Sequence, residues 1–188
     1  FPHHTNEIAQ SEAYLGHKWC NYWFHILHLN TNSGKMSKSK GEFLTVSLLE
    51  SKGYDPLVYR FFCLQSHYRK SLVFTYENLD NAKTAYNKLT ARIAQLMADK
   101  KPDEVVELED FEKFKGSFKA ALDDDINTSN AITVLYDVLK ADTNNETKLA
   151  LIEDFDKVLS LGLIEAAKKL SADAVSYTHL RAHETELH

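Results

Sequence analysis

The sequence predicts a mainly helical protein whose second half is an antiparallel helical bundle, and three observations carry that expectation. A long amphipathic run follows Thr75, with Leu79, Ala82, Ala85, Tyr86, Leu89, Ile93 and Leu96 on one stripe at helical spacing. Further segments of helical periodicity come after it, separated by short polar breaks. Only six Gly and three Pro occur in 188 residues, with 44% apolar and 26% charged, a balance that excludes disordered, collagen-like and low-complexity classes. One domain, or one and a half, suits that length.

Taken in order, the first element is a short helix from Thr5 to Leu15, with Thr5 as N-cap, Ile8, Ala9, Glu12 and Leu15 at helical spacing, and Gly16 as its stop. Aromatic and aliphatic density from Trp19 to Asn30 predicts a buried strand or a helix-to-strand switch, followed by turn chemistry at Thr31-Asn32-Ser33-Gly34. Lys35 to Gly41 is polar, aperiodic and bounded by Gly34 and Gly41, so it reads as a loop, with structure resuming at Phe43. Thr45 caps a short helix ending near Gly53, and Asp55-Pro56 opens another through Phe62, with Pro at the favoured first position. The amphipathic run from Tyr76 to about Ala98 is broken by Lys101-Pro102-Asp103, and helices over Phe111 to Leu122, Ser129 to Lys140 and Glu146 to Leu161 complete a bundle over residues 75–165. From about Ala172 to His188 the stripe is lost and three of the nine histidines gather, so this tail reads as appended sequence, a histidine metal tag being the functional alternative.

The longest apolar stretch, Trp23 to Leu29, spans seven residues and includes His25 and His28, far from the roughly 20 that cross a bilayer, so no membrane partner is expected. Cys20 and Cys63 make neither a disulfide framework nor a metal knuckle, which predicts a reducing, cytoplasmic setting. Residues 1–100 carry 12 basic against 8 acidic side chains, and residues 101–188 carry 10 against 19, so a polyanion should meet the first half. The opening Phe1-Pro2-His3-His4 has neither Met nor a leader pattern, and the chain is expected to be part of a longer one.

Two constellations could carry chemistry. His3 and Glu7 lie four apart, which on a helix puts an imidazole and a carboxylate on one face: half of a zinc site, or simply a polar pair at a helix start. His4 would point about 100° away and serve packing or a substrate contact. The second constellation is Lys35-Met36-Ser37-Lys38-Ser39. Two compact ammonium groups three residues apart, on a segment hinged by glycines, can close over a triphosphate and follow charge onto a leaving group, with the serine hydroxyls as neutral donors and Met36 as an apolar anchor. A solvated surface loop is the competing reading. Asp123, Asp124 and Asp125 could form a metal cluster, but successive carboxylates diverge on a helix, and Asn127-Thr128 ahead of a new helix predicts capping and a turn.

The Lys35 to Ser39 segment resembles the KMSKS signature of class I aminoacyl-tRNA synthetases. The run Phe1-Pro2-His3-His4-Thr5-Asn6-Glu7-Ile8-Ala9-Gln10-Ser11 resembles the segment just before it in the cysteinyl-tRNA synthetase family. Tyr22-Trp23, His67-Tyr68-Arg69 and Leu122-Asp123-Asp124-Asp125-Ile126-Asn127-Thr128 are similar to that family too, in order, so the resemblance covers residue 1 to about 165. It implies the tail end of a class I Rossmann-like α/β catalytic domain ahead of the bundle: catalytic-domain and stem-contact region over residues 1–70, a tRNA-binding bundle over 71–170, and a non-native tail over 171–188. Thr5 stands where an acidic residue is common, and Lys40 and Glu42 replace the usual Leu and Asn, departures that touch loop detail alone.

The resemblance further implies a ligase that activates L-cysteine with ATP and Mg2+ and transfers it to tRNA(Cys). His3 and Glu7 would match two of four Zn2+ ligands, the others being cysteines upstream. Lys38 would contact ATP, with Lys35, Met36, Ser37 and Ser39 completing the loop. The HIGH motif would also lie upstream, leaving this portion inactive alone. His67 and Arg69 would brace the loop or approach the tRNA acceptor end. Two alternatives stand beside this reading: the related cysteine ligase of mycothiol synthesis, and a non-catalytic helical module that binds tRNA or a partner.

Overall fold

The structure is a computed structural model that describes residues 2–31, 34–35 and 45–172. Its described elements are α1 (Pro2–Leu15), β1 (Leu29–Thr31), β2 (Gly34–Lys35), α2 (Val46–Ser51), α3 (Pro56–Leu64), β3 (Leu72–Phe74), α4 (Tyr76–Asp99), α5 (Leu108–Asp123), α6 (Thr128–Lys140) and α7 (Asn145–Leu159), with a further helical stretch over 163–172. Helix dominates, as the sequence predicts.

The small sheet has the order β2-β1-β3, with β1 antiparallel to β2 and parallel to β3. A parallel pair cannot be closed by a tight turn, and here the crossover from Thr31 to Leu72 contains α2 and α3. This strand–helix–strand connection is the α/β feature of the chain. Strand β3 is missed by the sequence reading because three residues give no measurable alternation.

Caps fix the helix starts. Thr45 Oγ1 accepts from Leu48 N, Asp55 Oδ1 from Leu57 N ahead of Pro56, Thr75 Oγ1 from Asn78 N, Asn127 Oδ1 from Asn130 N, and Asn144 Oδ1 from Thr147 N. The stripe on α4 is buried as its spacing requires, with Leu79, Ala82, Tyr86, Leu89, Ile93 and Leu96 all in the core. Helices α5 and α6 are joined by residues 124–127, and α6 and α7 by 141–144, the short connections of an antiparallel bundle. Phe118 of α5 stacks on Phe155 of α7 with centroids 4.0 Å apart and planes 7° from parallel. Tyr86 reaches from α4 to donate to the Leu161 carbonyl at 2.7 Å, and burial pushes its phenol up to about 12.

Several expectations need correction. Helix α1 begins at Pro2 rather than Thr5, since Pro suits a first helical position and Thr5 lies inside the helix. Gly16 ends it as expected, at φ +72. The segment Trp19 to Asn30 is not a buried strand: residues 19–28 are irregular and mostly exposed, and only its end enters β1. Its apolar composition mimics a core strand, yet among the described residues no strand pairs along 19–28. Helix α5 starts three residues before Phe111, and α7 ends at Leu159, where Ser160 adopts φ 51 and Gly162 φ 63 before the 163–172 helix. Asp156 caps that last helix by accepting from Leu161 N and Leu163 N. Ser171 and Ala172 are helical and continue the 163–172 helix rather than belonging to a separate tail, and the rest of the proposed tail lies outside the described residues.

Candidate functional site

Helix α1 carries both members of the first constellation. His3 and Glu7 are exposed one turn apart, while His4, on the neighbouring face, is half-buried. The His4 ring lies 5.1 Å from Trp23 and 4.7 Å from His25, and Trp23 meets Trp19 edge-on at 5.8 Å. The irregular 19–28 segment is thus held against α1 by aromatic contacts rather than by a ladder, and His4 packs within that cluster, the first of the two roles its position allows. Cys20 Sγ donates to the Tyr22 carbonyl at 2.9 Å. Among the described residues no group of three or more His, Cys, Asp and Glu is arranged to hold a metal. An imidazole nitrogen and a carboxylate oxygen are donors zinc accepts, so His3 and Glu7 fit as two ligands and supply no more than that.

Of the second constellation, the backbone of Lys35 is described: it pairs with Asn30 at the end of β2, next to the Thr31–Gly34 pair. Met36, Ser37, Lys38 and Ser39 lie outside the described residues. What the structure adds is the support of the β1–β2 hairpin. Strand β1 lies against β3 through Leu29–Leu72, Asn30–Val73 and Thr31–Phe74, and Asn30 Nδ2 donates to Ser71 Oγ at 2.7 Å.

The 67–70 turn that precedes β3 is tied in two directions. Its Tyr68 carbonyl accepts from Leu27 N at 3.2 Å, and the Tyr68 ring packs on Phe24 with centroids 4.3 Å apart. On the other side stands Asp125, from the turn between α5 and α6. Its Oδ1 accepts from the Tyr68 hydroxyl at 2.6 Å and from Arg69 Nη2 at 3.3 Å, its Oδ2 pairs with Arg69 Nε at 2.5 Å, and His67 Nε2 lies 3.8 Å away. Hydrogen bonds from Tyr68 and then Arg69 hold the Asp125 carboxyl below the usual carboxylate range, and the same contact raises the Tyr68 phenol. The three aspartates diverge: Asp123 pairs with Lys119, Asp124 accepts from Asn127 Nδ2, and Asp125 reaches the 67–70 turn. Capping by Asn127 is confirmed, whereas the reach of Asp125 was not legible in the sequence.

Between the 24–29 segment, α3 and this turn lies an apolar cavity of about 590 Å3, lined among others by Phe24, Leu27, Tyr59, Cys63, His67 and Ile126. Burial pushes the Tyr59 phenol up to about 12 and raises the Cys63 thiol, so neither offers an anion at neutral pH.

Comparison with known proteins bears on both halves of the chain. The family model described as tRNA synthetases class I (C) catalytic domain matches residues 1–84, and the DALR domain model matches residues 117–164. A cysteine–tRNA ligase 1 of Burkholderia lata is 40% identical over 165 residues, covering 87% of this chain and 33% of the relative. The chain belongs to the cysteinyl-tRNA synthetase family. A cysteine–tRNA ligase of Novosphingobium aromaticivorans is 40% identical over 179 residues, covering 89% of this chain and 36% of that protein. One of Bacillus licheniformis is 39% identical over 175 residues, covering 86% and 37%. The chain thus spans about a third of the length of these curated relatives. None of its described helices is long and apolar enough to cross a membrane.

Proposed function

We propose that the chain is the part of a cysteine–tRNA ligase that carries the lysine loop, a histidine–glutamate pair for zinc, and the helices behind them. The observation that supports this most directly is the collinear similarity of about 40% to cysteine–tRNA ligases across nearly nine-tenths of the chain. Residues 1–70 belong to the catalytic and stem-contact region and 71–170 to a tRNA-facing bundle. L-cysteine, ATP with Mg2+, and tRNA(Cys) are its substrates, and the enzyme acts in the cytoplasm.

The roles follow from charge and geometry. Lys35 and Lys38 stabilise the negative charge that moves onto pyrophosphate as cysteinyl-adenylate forms, a benefit that grows toward the transition state. Ser37 and Ser39 donate to phosphate oxygens, and Met36 anchors the loop. Strand pairing of Lys35 with Asn30 gives the loop a fixed root. His3 and Glu7 would supply two ligands to Zn2+, a metal that would favour the soft thiolate of cysteine over the hydroxyl of serine. Exposure of both side chains on one helix face leaves them open to further ligands.

The experiment is cysteine-dependent ATP–pyrophosphate exchange by a full-length enzyme containing this segment, repeated with serine. Exchange with cysteine alone, lost in Lys38→Ala, is expected. Exchange that ignores Lys38, or that accepts serine equally, would overturn the reading.

A further inference from the structure

The turn between α5 and α6 places two successive non-glycine residues in the left-handed region, Asp125 at φ 53 and Ile126 at φ 54. The second is β-branched, a residue type for which this conformation is a genuine outlier. Strain of this kind persists where the surroundings over-determine it. Here Ile126 N donates to Leu122 O at 2.9 Å, Asn127 N to Ala121 O at 3.1 Å, and Thr128 N to Ile126 O at 2.8 Å, while Asn127 caps α6. An ordinary Gly at either position would close the same turn without strain. The conformation held instead aims one carboxylate out of the bundle, onto three consecutive side chains of the 67–70 turn.

That turn is where the sheet is anchored. Tyr68 is the node: its hydroxyl goes to Asp125, its ring packs on Phe24, and its carbonyl takes the Leu27 amide two residues before β1. The Arg69 guanidinium, 5.3 Å from the Tyr68 ring centroid, covers the same ring while it pairs with Asp125. Two residues beyond the turn begins β3, the parallel partner of β1, and β1 leads to β2 and Lys35.

We propose that Asp125 is a positioning residue: through Tyr68 and Arg69 it locks the 67–70 turn, and with it the β1–β2 hairpin from which Lys35 springs, in register with the helical bundle. Its value to catalysis rests on the reading that Lys35 and the residues after it handle ATP. The positional claim does not. An isolated surface ion pair contributes little to stability, so the effect of losing this one is local, at the strands, and small for the bundle.

The test is native-state hydrogen exchange on the 188-residue chain, comparing wild type with Asp125→Asn, Asp125→Glu and Tyr68→Phe. Asp125→Asn is expected to lower protection of the Leu27 to Thr31 and Leu72 to Phe74 amides about 10-fold, with α4 and α7 amides unchanged, and Asp125→Glu to restore part of it. Tyr68→Phe, which keeps the ring on Phe24 and removes the hydroxyl, should reproduce the local loss in smaller measure. Equal loss everywhere, no change at residues 27–31, or unfolding of both Asp125→Asn and Tyr68→Phe would overturn the proposal by making Asp125 a general stability residue or an idle one. A parallel measurement of single-turnover adenylate formation in a full-length enzyme containing this segment, wild type against Lys35→Ala, separates the two claims. An unchanged rate sinks the reading of the lysine loop and leaves the exchange pattern standing.

Discussion

Asp125 and Arg69, 56 residues apart in the chain, meet with Oδ2 and Nε 2.5 Å apart, and through this pair the α5–α6 turn touches the turn that leads into β3. Both side chains remain in contact with water, Arg69 at 67% and Asp125 at 45% of full exposure. The pair therefore sets geometry more than it stabilises the fold.

Its pH dependence is testable. Because hydrogen bonds from Tyr68 and Arg69 lower the carboxyl's pKa in the folded chain, the contribution of Asp125 is present in full above its unfolded value of about 3.9. It is lost as pH falls through the lower folded value. The difference in Tm between wild type and Asp125→Asn should thus be constant from pH 7 to pH 5 and shrink below pH 4. A difference that grew on acidification would contradict the assigned hydrogen bonds.

Phe155→Ala should be among the most destabilising single changes in the bundle. Phe155 is fully buried and stacks on Phe118, so truncation removes a ring from a packed core and leaves a void. About 3–5 kcal/mol is expected, read as a fall in urea midpoint with an unchanged slope. A loss under 1 kcal/mol would show that α5 and α7 do not pack as described.

The link after α7 gives a third expectation. Gly162 sits at φ 63, and a Cβ there would lie 3.2 Å from Leu57 Cδ1, so Gly162→Ala combines left-handed strain with a tight contact and should cost about 1–2 kcal/mol. Asp156→Ala strips the acceptor from the amides of Leu161 and Leu163 and should cost about 1–3 kcal/mol. Thermal melts of each variant check both values.

What was legible in the sequence was what periodicity and capping encode. The stripe from Leu79 to Leu96 is buried almost residue for residue, and Thr45, Asp55 and Thr75 cap where expected, because these signals act within one turn of helix. The 19–28 segment misled because density of aromatics reports apolar surface and says nothing of what covers it. Asp125 was hidden for another reason: its partners are set by a strained turn and by the placement of residue 69 in space, and neither leaves a local pattern. His3 and Glu7 were found by spacing, which shows that two donors share a face and cannot show further ligands.

For that reason zinc binding by this chain should be weak, since two ligands provide about half of a four-ligand shell. Calorimetry on a chain lacking His179, His183 and His188 should give a low affinity that disappears in His3→Ala. Tight stoichiometric binding indifferent to His3→Ala would remove His3 from the metal site.

The most direct test of the account is the single-turnover rate of cysteinyl-adenylate formation in a full-length enzyme containing this segment, compared among wild type, Lys38→Ala and Lys38→Arg. If the lysine loop serves the leaving pyrophosphate, Lys38→Ala lowers that rate roughly 100-fold to 1,000-fold, about 3–4 kcal/mol, with a smaller change in ATP affinity. Lys38→Arg restores part of it, because a planar guanidinium keeps the charge but not the compact geometry of an ammonium. An unchanged single-turnover rate in Lys38→Ala, or a defect that vanishes at saturating ATP, would contradict the account.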